Sequence, residues 1–178
     1  LTRQEYFLTV MDAMMDADKH VIGSITGRLP VDDDSKMIRN ITDNIEKLVH
    51  HGVKVKYLIP KFPDRLRVGH IYSKAGAEIR YGSCLMVQDI RYIVVDHKLV
   101  VIGIPESTGN REATKKGYRI PSEGLAGMIE ENFLKCWEES TGYEAYVREV
   151  IKETGASPKQ LAREIHIDEK ELERVAAQ

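Results

Sequence analysis

Cysteine is scarce in this chain of 178 residues, which has only Cys84 and Cys136. The two lie far apart in the sequence and show none of the Cys-x-x-Cys or Cys–His spacings that are typical of zinc and redox sites. A secreted fold held by disulfides is therefore disfavoured, and we predict reduced thiols in a cytoplasmic protein. Because 42% of the residues are hydrophobic, the chain can form a core without such cross-links.

Long apolar runs and a charge excess are absent too. No run approaches the roughly 20 residues that a membrane span needs, and no signal peptide opens the chain. The formal net charge is −2, so composition provides no general attraction to nucleic acid or to an anionic membrane. The sequence begins at Leu1, already inside an amphipathic pattern, and we expect that a preceding segment is missing.

Common motifs for metal and phosphate binding are also missing. The glycines form no phosphate-binding loop, and no His-Glu-x-x-His pair occurs. The histidines show no ligand spacing with acidic residues; they are His20, His50, His51, His70, His97 and His166. We therefore predict no metal site and no cofactor.

What the chain does contain is an alternation of helical and strand patterns. Apolar residues at helical spacing predict helices over residues 2–17, 35–51, 63–75 and 122–140. Short apolar or alternating runs predict strands at 20–25, 53–59, 77–81 and 118–120. This order predicts an α/β domain over residues 1–141. A highly charged, wholly helical extension follows over residues 142–178.

The central segment, residues 88–103, predicts two apolar strands that meet at a tight Asp96-His97-Lys98 corner. We assign Asp89 and Arg91 to the first strand. Because side chains alternate along a strand, the two should share one face and form an ion pair.

The spacing Asp89-x-Arg91-x4-Asp96 resembles the His-x-Lys-x4-Asp signature of the phospholipase D superfamily. Four other segments, 48–56, 75–80, 120–122 and 133–137, resemble family segments in the same order, so the resemblance covers about residues 4–140. It implies a phospholipase D-like sandwich, a mixed sheet flanked by helices, with the helical extension after it. It also implies a homodimer, because family enzymes with one motif per chain assemble their site across a two-fold axis.

This sequence lacks the catalytic imidazole of the signature, because Asp89 stands at the position of its histidine. In the family enzymes the histidine attacks phosphorus and the lysine holds the phosphoryl oxygens, as the resemblance implies. A carboxylate at Asp89, ionised at pH 7, repels a phosphodiester and cannot replace that histidine. We therefore predict no catalytic residue and a closer resemblance to the non-catalytic branch, the effector-binding domain of TrmB-type transcription regulators.

Arg91 can still bind phosphate or carboxylate through its planar guanidinium. Gly103-Ile104-Pro105 stands where the family has Gly-Ser, and nearby polar residues can replace the lost serine. The candidate ligand-binding residues are Asp89, Arg91, Asp96, Ser107 and Asn110. Two alternatives stay open: a phosphodiesterase or nuclease that uses Asp89, Arg91 and His97, and an interaction scaffold that binds a partner through residues 142–178.

The extension also contains a pattern that resembles a helix-turn-helix, at residues 157–176. Acidic residues at 168, 169, 171 and 173 oppose contact with phosphates, and His166 replaces the glycine usual in such turns. We therefore predict a helical pair that packs on the domain or on a partner. DNA would then be bound through a region upstream of Leu1, and the effector is unidentified.

Overall fold

The protein is a seven-stranded mixed sheet with helices on both faces. The structure, a computed structural model, describes residues 3–25, 36–105 and 114–178. The strands are β1 His20–Ser24, β2 Lys54–Pro60, β3 Glu78–Gly82, β4 Arg91–Val95, β5 Leu99–Pro105, β6 Thr114–Pro121 and β7 Thr141–Gly142. Their order in the sheet is β6-β5-β4-β1-β2-β3-β7. The pairs β1–β2 and β2–β3 are parallel and the others are antiparallel.

Eight α-helices accompany the sheet in the described part of the chain. They are α1 Arg3–Met15, α2 Lys36–His50, α3 Leu66–Lys74, α4 Leu85–Asp89, α5 Glu123–Glu138, α6 Tyr143–Thr154, α7 Pro158–Ile165 and α8 Glu169–Ala177. A short 3₁₀ turn, Pro63–Arg65, leads into α3. In these residues no helix is both long and apolar enough to cross a membrane.

Two hydrophobic cores hold the layers together. Adjacent strand residues point to opposite faces, so Val21 joins one core and Ile22 joins the other. The larger core lies under α1, α2, α3 and α6–α8, and the smaller one lies under α5, where Phe133 is buried. The predicted α/β sandwich with a helical C-terminal part is confirmed.

The C-terminal helices pack on the domain, through the larger core. Tyr146 of α6 stacks on Tyr81 of β3 with ring centroids 4.6 Å apart. The Glu171 carboxylate of α8 forms an ion pair with the ammonium group of Lys74 on α3, with Oε2 and Nζ 2.7 Å apart. His166 itself adopts the left-handed conformation, φ 55° and ψ 49°, so the missing glycine does not prevent the α7–α8 turn. The division at residue 142 stays a prediction.

The two cysteines form a disulfide, which corrects the prediction of reduced thiols. Cys84 follows β3 and Cys136 lies on α5, and the fold brings their Cα atoms to 6.1 Å. The sequence gives no sign of this because 52 positions separate the pair. The argument from cysteine usage to a reducing compartment therefore fails, and the cytoplasmic location stays a prediction.

Replacing either of two helical glycines with alanine should change the stability of the protein, in opposite directions at the two positions. A Cβ at Gly69 of α3 would collide with the hydroxyl of Tyr81, which is fully buried and donates to the Arg65 carbonyl at 3.0 Å. A Cβ at Gly127 of α5 would meet nothing within 4 Å. We expect Gly69→Ala to destabilise by about 2–3 kcal/mol. Gly127→Ala should stabilise by about 0.5–1 kcal/mol through helix propensity.

Urea unfolding of both variants beside the wild type measures this difference. Because Gly127→Ala is the same substitution in another helix, it controls for helix propensity alone. A shift of both variants in the same direction would contradict the packing of α3 on β3.

Candidate functional site

The β4–β5 hairpin has the tight corner that the sequence predicts. Asp96 and His97 have positive φ values of 50° and 61°, and the Lys98 N–H donates to the Val95 carbonyl at 3.1 Å. Two central residues in the left-handed region are typical of a type I′ turn, whose twist matches that of the strands. The corner places both side chains beside the start of β1, because Val21 pairs with Val95.

Asp96 accepts three backbone hydrogen bonds from the segment that leads into β1. The N–H groups of Asp18 and Lys19 donate at 2.8 Å, and that of His20 donates at 3.0 Å. Burial raises the pKa of Asp96, but these donors and the His20 imidazole outweigh it, so the pKa lies below its ordinary value. The third position of the predicted motif therefore joins β1 to the hairpin.

Asp89 is not on the strand with Arg91, which corrects the sequence interpretation. It is the last residue of helix α4, and Arg91 begins β4 after the extended Ile90. The conclusion that the two share a strand face is therefore wrong. The side chain of Asp89, like Ser107 and Asn110, lies outside what the structure describes, so the predicted ion pair stays a prediction.

Arg91 is buried, with 6% of its surface exposed. Burial raises the pKa of the Tyr6 hydroxyl on α1, and the positive charge of Arg91 partly opposes that rise. Arg91 begins β4 and Asp96 follows its last residue, Val95; the four extended steps of the strand alone span about 13 Å. The structure therefore does not bring these two candidates into one site.

A cluster that the sequence analysis missed lies at the Asp96 end of β4. It consists of His20 at the start of β1, His97 at the hairpin corner and Glu130 on α5, with possible ligand atoms all within 4.8 Å of one another. His97 Nδ1 lies 2.5 Å from Glu130 Oε2, and His20 Nε2 lies 3.6 Å from Glu130 Oε1. The two imidazoles are 3.8 Å apart between ring centroids.

These three side chains line a cavity of about 190 Å³ between the sheet and α5. The other lining residues are Ile22, Lys54, Lys56, Phe133 and Leu134. Lys56 is held to one side, because its Nζ lies 3.6 Å from Glu78 and 5.3 Å from the centroid of the Trp137 ring. The cavity thus combines an apolar wall with imidazole, carboxylate and ammonium groups, a mixture suited to a small polar ligand or an ion.

Similar architecture occurs in solved structures of low sequence identity. TrmBL2, described as an archaeal chromatin protein with a novel mode of DNA binding, has 22% identity and a TM-score of 0.55. Nuc from Salmonella typhimurium, a phospholipase D family member, has 17% identity and a TM-score of 0.56. NucT from Helicobacter pylori has 12% identity and a TM-score of 0.57. The chain has the phospholipase D-like fold.

The phospholipase D-like part accounts for most of the chain. The alignments cover 79% of this chain and 52% of TrmBL2, 76% and 89% for Nuc, and 78% and 91% for NucT. The chain thus spans about half of TrmBL2 and nearly all of each of the other two. No protein-family model and no curated protein matches the sequence. The predicted resemblance to phospholipase D-like and TrmB-like proteins is confirmed at the level of the fold.

The histidines show no ligand spacing in the sequence, but the fold brings two of them together. On the phospholipase D-like fold, His20 and His97 become neighbours because β1 pairs with β4. Glu130 joins them only when α5 packs across the sheet. The pairing of β1 with β4 is the signal that could have predicted the contact between His20 and His97. No short spacing in the sequence predicts that Glu130 joins them.

Proposed function

We propose that this chain is a catalytically inactive phospholipase D-like domain that serves as an effector-sensing and dimerisation module of a transcription regulator. One observation carries the proposal: position 89, where the motif requires an attacking imidazole, is an aspartate that ends helix α4. A carboxylate repels the phosphodiester that a nucleophile must approach.

The placement of the remaining motif residues supports this proposal. The Asp96 carboxylate already accepts hydrogen bonds from three backbone N–H groups. His97 lies beyond the end of β4 that is opposite to Arg91. A reaction centre that uses Arg91 and His97 together would have to span more than about 13 Å. The alternative of a phosphodiesterase built on Asp89, Arg91 and His97 is therefore disfavoured.

The regulatory part of the proposal draws on the architecture shared with TrmBL2, a protein described as binding DNA. The chain covers about half of TrmBL2, which is the relation expected of one module within a longer regulator. We propose that DNA is bound through a region upstream of Leu1. The α7–α8 pair is a poor alternative, because α8 carries Glu169, Glu171 and Glu173, whose carboxylates repel DNA phosphates.

We expect no hydrolysis of bis(p-nitrophenyl) phosphate, or of single- or double-stranded DNA, above a buffer control. The physical reason is the missing nucleophile at position 89. Hydrolysis that disappears in His97→Ala would contradict the proposal and support the nuclease alternative. The His97 side chain is 67% exposed, so its loss leaves the core intact, and His97→Gly, which also tolerates the positive φ of 61°, controls for backbone strain.

The regulatory role has its own test. Light scattering should show a dimer, and a thermal-shift panel of sugars, nucleotides and phosphorylated metabolites should contain a stabilising compound. At a hundredfold excess over Kd a ligand adds about 2.7 kcal/mol, or roughly 5–10 °C for a chain of this size. A monomer that responds to no compound in the panel would contradict the module assignment.

A further inference from the structure

The His20–His97–Glu130 cluster has the donor composition of a zinc site with one open position. We propose that these three residues bind a divalent transition-metal cation of the zinc type. Two imidazoles and one carboxylate form a common three-ligand set for Zn²⁺, which leaves the fourth position for water or a ligand. The proposal is independent of the regulatory role, because an inactive domain and an enzyme are equally able to hold the ion.

The spacing of the donor atoms fits a tetrahedral ion after a small adjustment. With bonds of about 2.0–2.1 Å, donor atoms around Zn²⁺ lie about 3.4 Å apart. His20 Nε2 and Glu130 Oε1 are already 3.6 Å apart. His97 Nδ1 lies 2.5 Å from the other oxygen, Glu130 Oε2, and must move away from it to bind an ion held at Oε1. The exposed ring of His97, on a hairpin corner, has the space to do so.

One oxygen of the cluster lacks a partner. Glu130 Oε1 is buried and accepts no hydrogen bond from the described residues. Buried carboxylate oxygens are nearly always satisfied in folded proteins, so an unsatisfied one needs an explanation. A bound cation at this oxygen provides it, and the neighbouring His20 Nε2 is placed to share that cation.

An outer carboxylate stands behind His20. Asp96 Oδ1 lies 4.0 Å from His20 Nδ1, the ring nitrogen that does not face Glu130. Metal-bound histidines usually direct their second nitrogen to a carboxylate or carbonyl, which fixes the tautomer and the ring orientation. Asp96 is itself fixed by three backbone N–H groups. The 4.0 Å separation is too long for a hydrogen bond, so Asp96 supports His20 through its negative charge rather than by fixing the tautomer.

The nature of the donors and of the cavity selects the ion. Imidazole favours zinc, cobalt, nickel or copper over magnesium and calcium, which prefer all-oxygen sites. Lys54 and Lys56 also line the cavity, and their charges oppose a bare cation. The same charges favour an anion or hydroxide at the open fourth position.

The test uses the full chain without a polyhistidine tag, treated with EDTA and dialysed into metal-free buffer. Isothermal titration with Zn²⁺ should give one site per chain, and Mg²⁺ should give no signal. Co²⁺ should produce the strong visible absorption of a four-coordinate complex, which an octahedral surface complex lacks.

Three variants decide the assignment. His97→Ala and Glu130→Gln should each weaken Zn²⁺ binding about 100-fold or more, beyond the roughly 10–100-fold expected for an outer-shell residue. His50→Ala removes an exposed histidine at the end of α2 and should bind as the wild type does. Circular dichroism confirms that each variant is folded.

Three results would overturn the site: no saturable binding by the wild type, wild-type affinity in both His97→Ala and Glu130→Gln, or an equal loss in His50→Ala. None of them affects the proposed regulatory function, which depends on position 89 and on an effector.

Discussion

Replacing Asp96 with alanine is expected to destabilise the protein by about 4 kcal/mol. The substitution removes three hydrogen bonds from backbone N–H groups to a carboxylate, of 2.8, 2.8 and 3.0 Å. Each bond of this kind contributes about 1.5–3 kcal/mol, and the lower value applies because two of the three donors belong to exposed residues. Alanine also resists the positive φ of 50° at this position.

Two further substitutions separate these contributions. Asp96→Asn keeps one carbonyl oxygen and the tolerance of asparagine for the left-handed region, so we expect a loss of only about 1–2 kcal/mol. Asp96→Gly removes the side chain without the backbone strain, so it should fall between the asparagine and alanine variants. Guanidinium unfolding at pH 7 measures all three.

Acid should weaken the same contribution. The folded pKa of Asp96 lies below its ordinary value of 3.8, so the unfolded chain binds a proton more readily than the folded chain does. The stabilisation is therefore complete above about pH 4 and is lost as the pH falls toward the folded pKa. The difference in stability between wild type and Asp96→Asn should stay constant above about pH 4 and narrow steadily as the pH falls below it. A constant difference would contradict the structural role.

This role changes how the motif is interpreted. Asp96 joins the start of β1 to the hairpin whether or not the site is catalytic, so its presence gives no support to a surviving phosphodiesterase. The functional question depends on position 89 and on what surrounds Arg91. Asp96 lies at the end of β4 away from Arg91, next to His20.

Much of the fold could be predicted from the sequence, because its elements are long and periodic. Helix α2 has Ile38, Ile41 and Ile45 on one buried face, and helix α1 buries Tyr6 and Val10 in the same way. The β4–β5 hairpin was predictable from two apolar runs that flank a polar corner.

Helix α4 could not be predicted in this way. It has five residues, Leu85–Asp89, too few to show a helical period, and its Leu-Met-Val start is equally compatible with a strand. The placement of Asp89 on the strand of Arg91 followed from that ambiguity. In the structure the Ile90 N–H donates to the Met86 carbonyl at 3.2 Å, which closes a helical turn, and Val87 packs in the smaller core.

The His20–His97–Glu130 cluster was unpredictable for another reason. Its members come from a strand start, a hairpin corner and a helix, separated by 77 and 33 positions. Metal motifs are recognised in sequences by short spacings such as i, i+4, and none occurs here. His97 illustrates the difficulty, because the same residue forms the hairpin turn and provides a candidate ligand.

Reduction of the Cys84–Cys136 disulfide is expected to lower the free energy of unfolding by about 4 kcal/mol. The bond closes a loop of 52 positions, and the loss of loop entropy in the unfolded chain gives that magnitude at 25 °C. Because Cys136 lies on α5, as Glu130 does, the bond also holds in place the helix that supplies the carboxylate of the cluster.

Denaturant unfolding with and without dithiothreitol measures the effect, and the mass of the intact chain reports whether the bond has formed. The double variant Cys84→Ala/Cys136→Ala is the control, since it should match the reduced wild type and ignore dithiothreitol. Two titratable thiols in chain purified under oxidising conditions would contradict the pairing and restore the argument for a reducing compartment. A formed bond whose reduction leaves stability unchanged would instead show that α5 is held by the packing of its own Ile129 and Phe133 side chains in the smaller core.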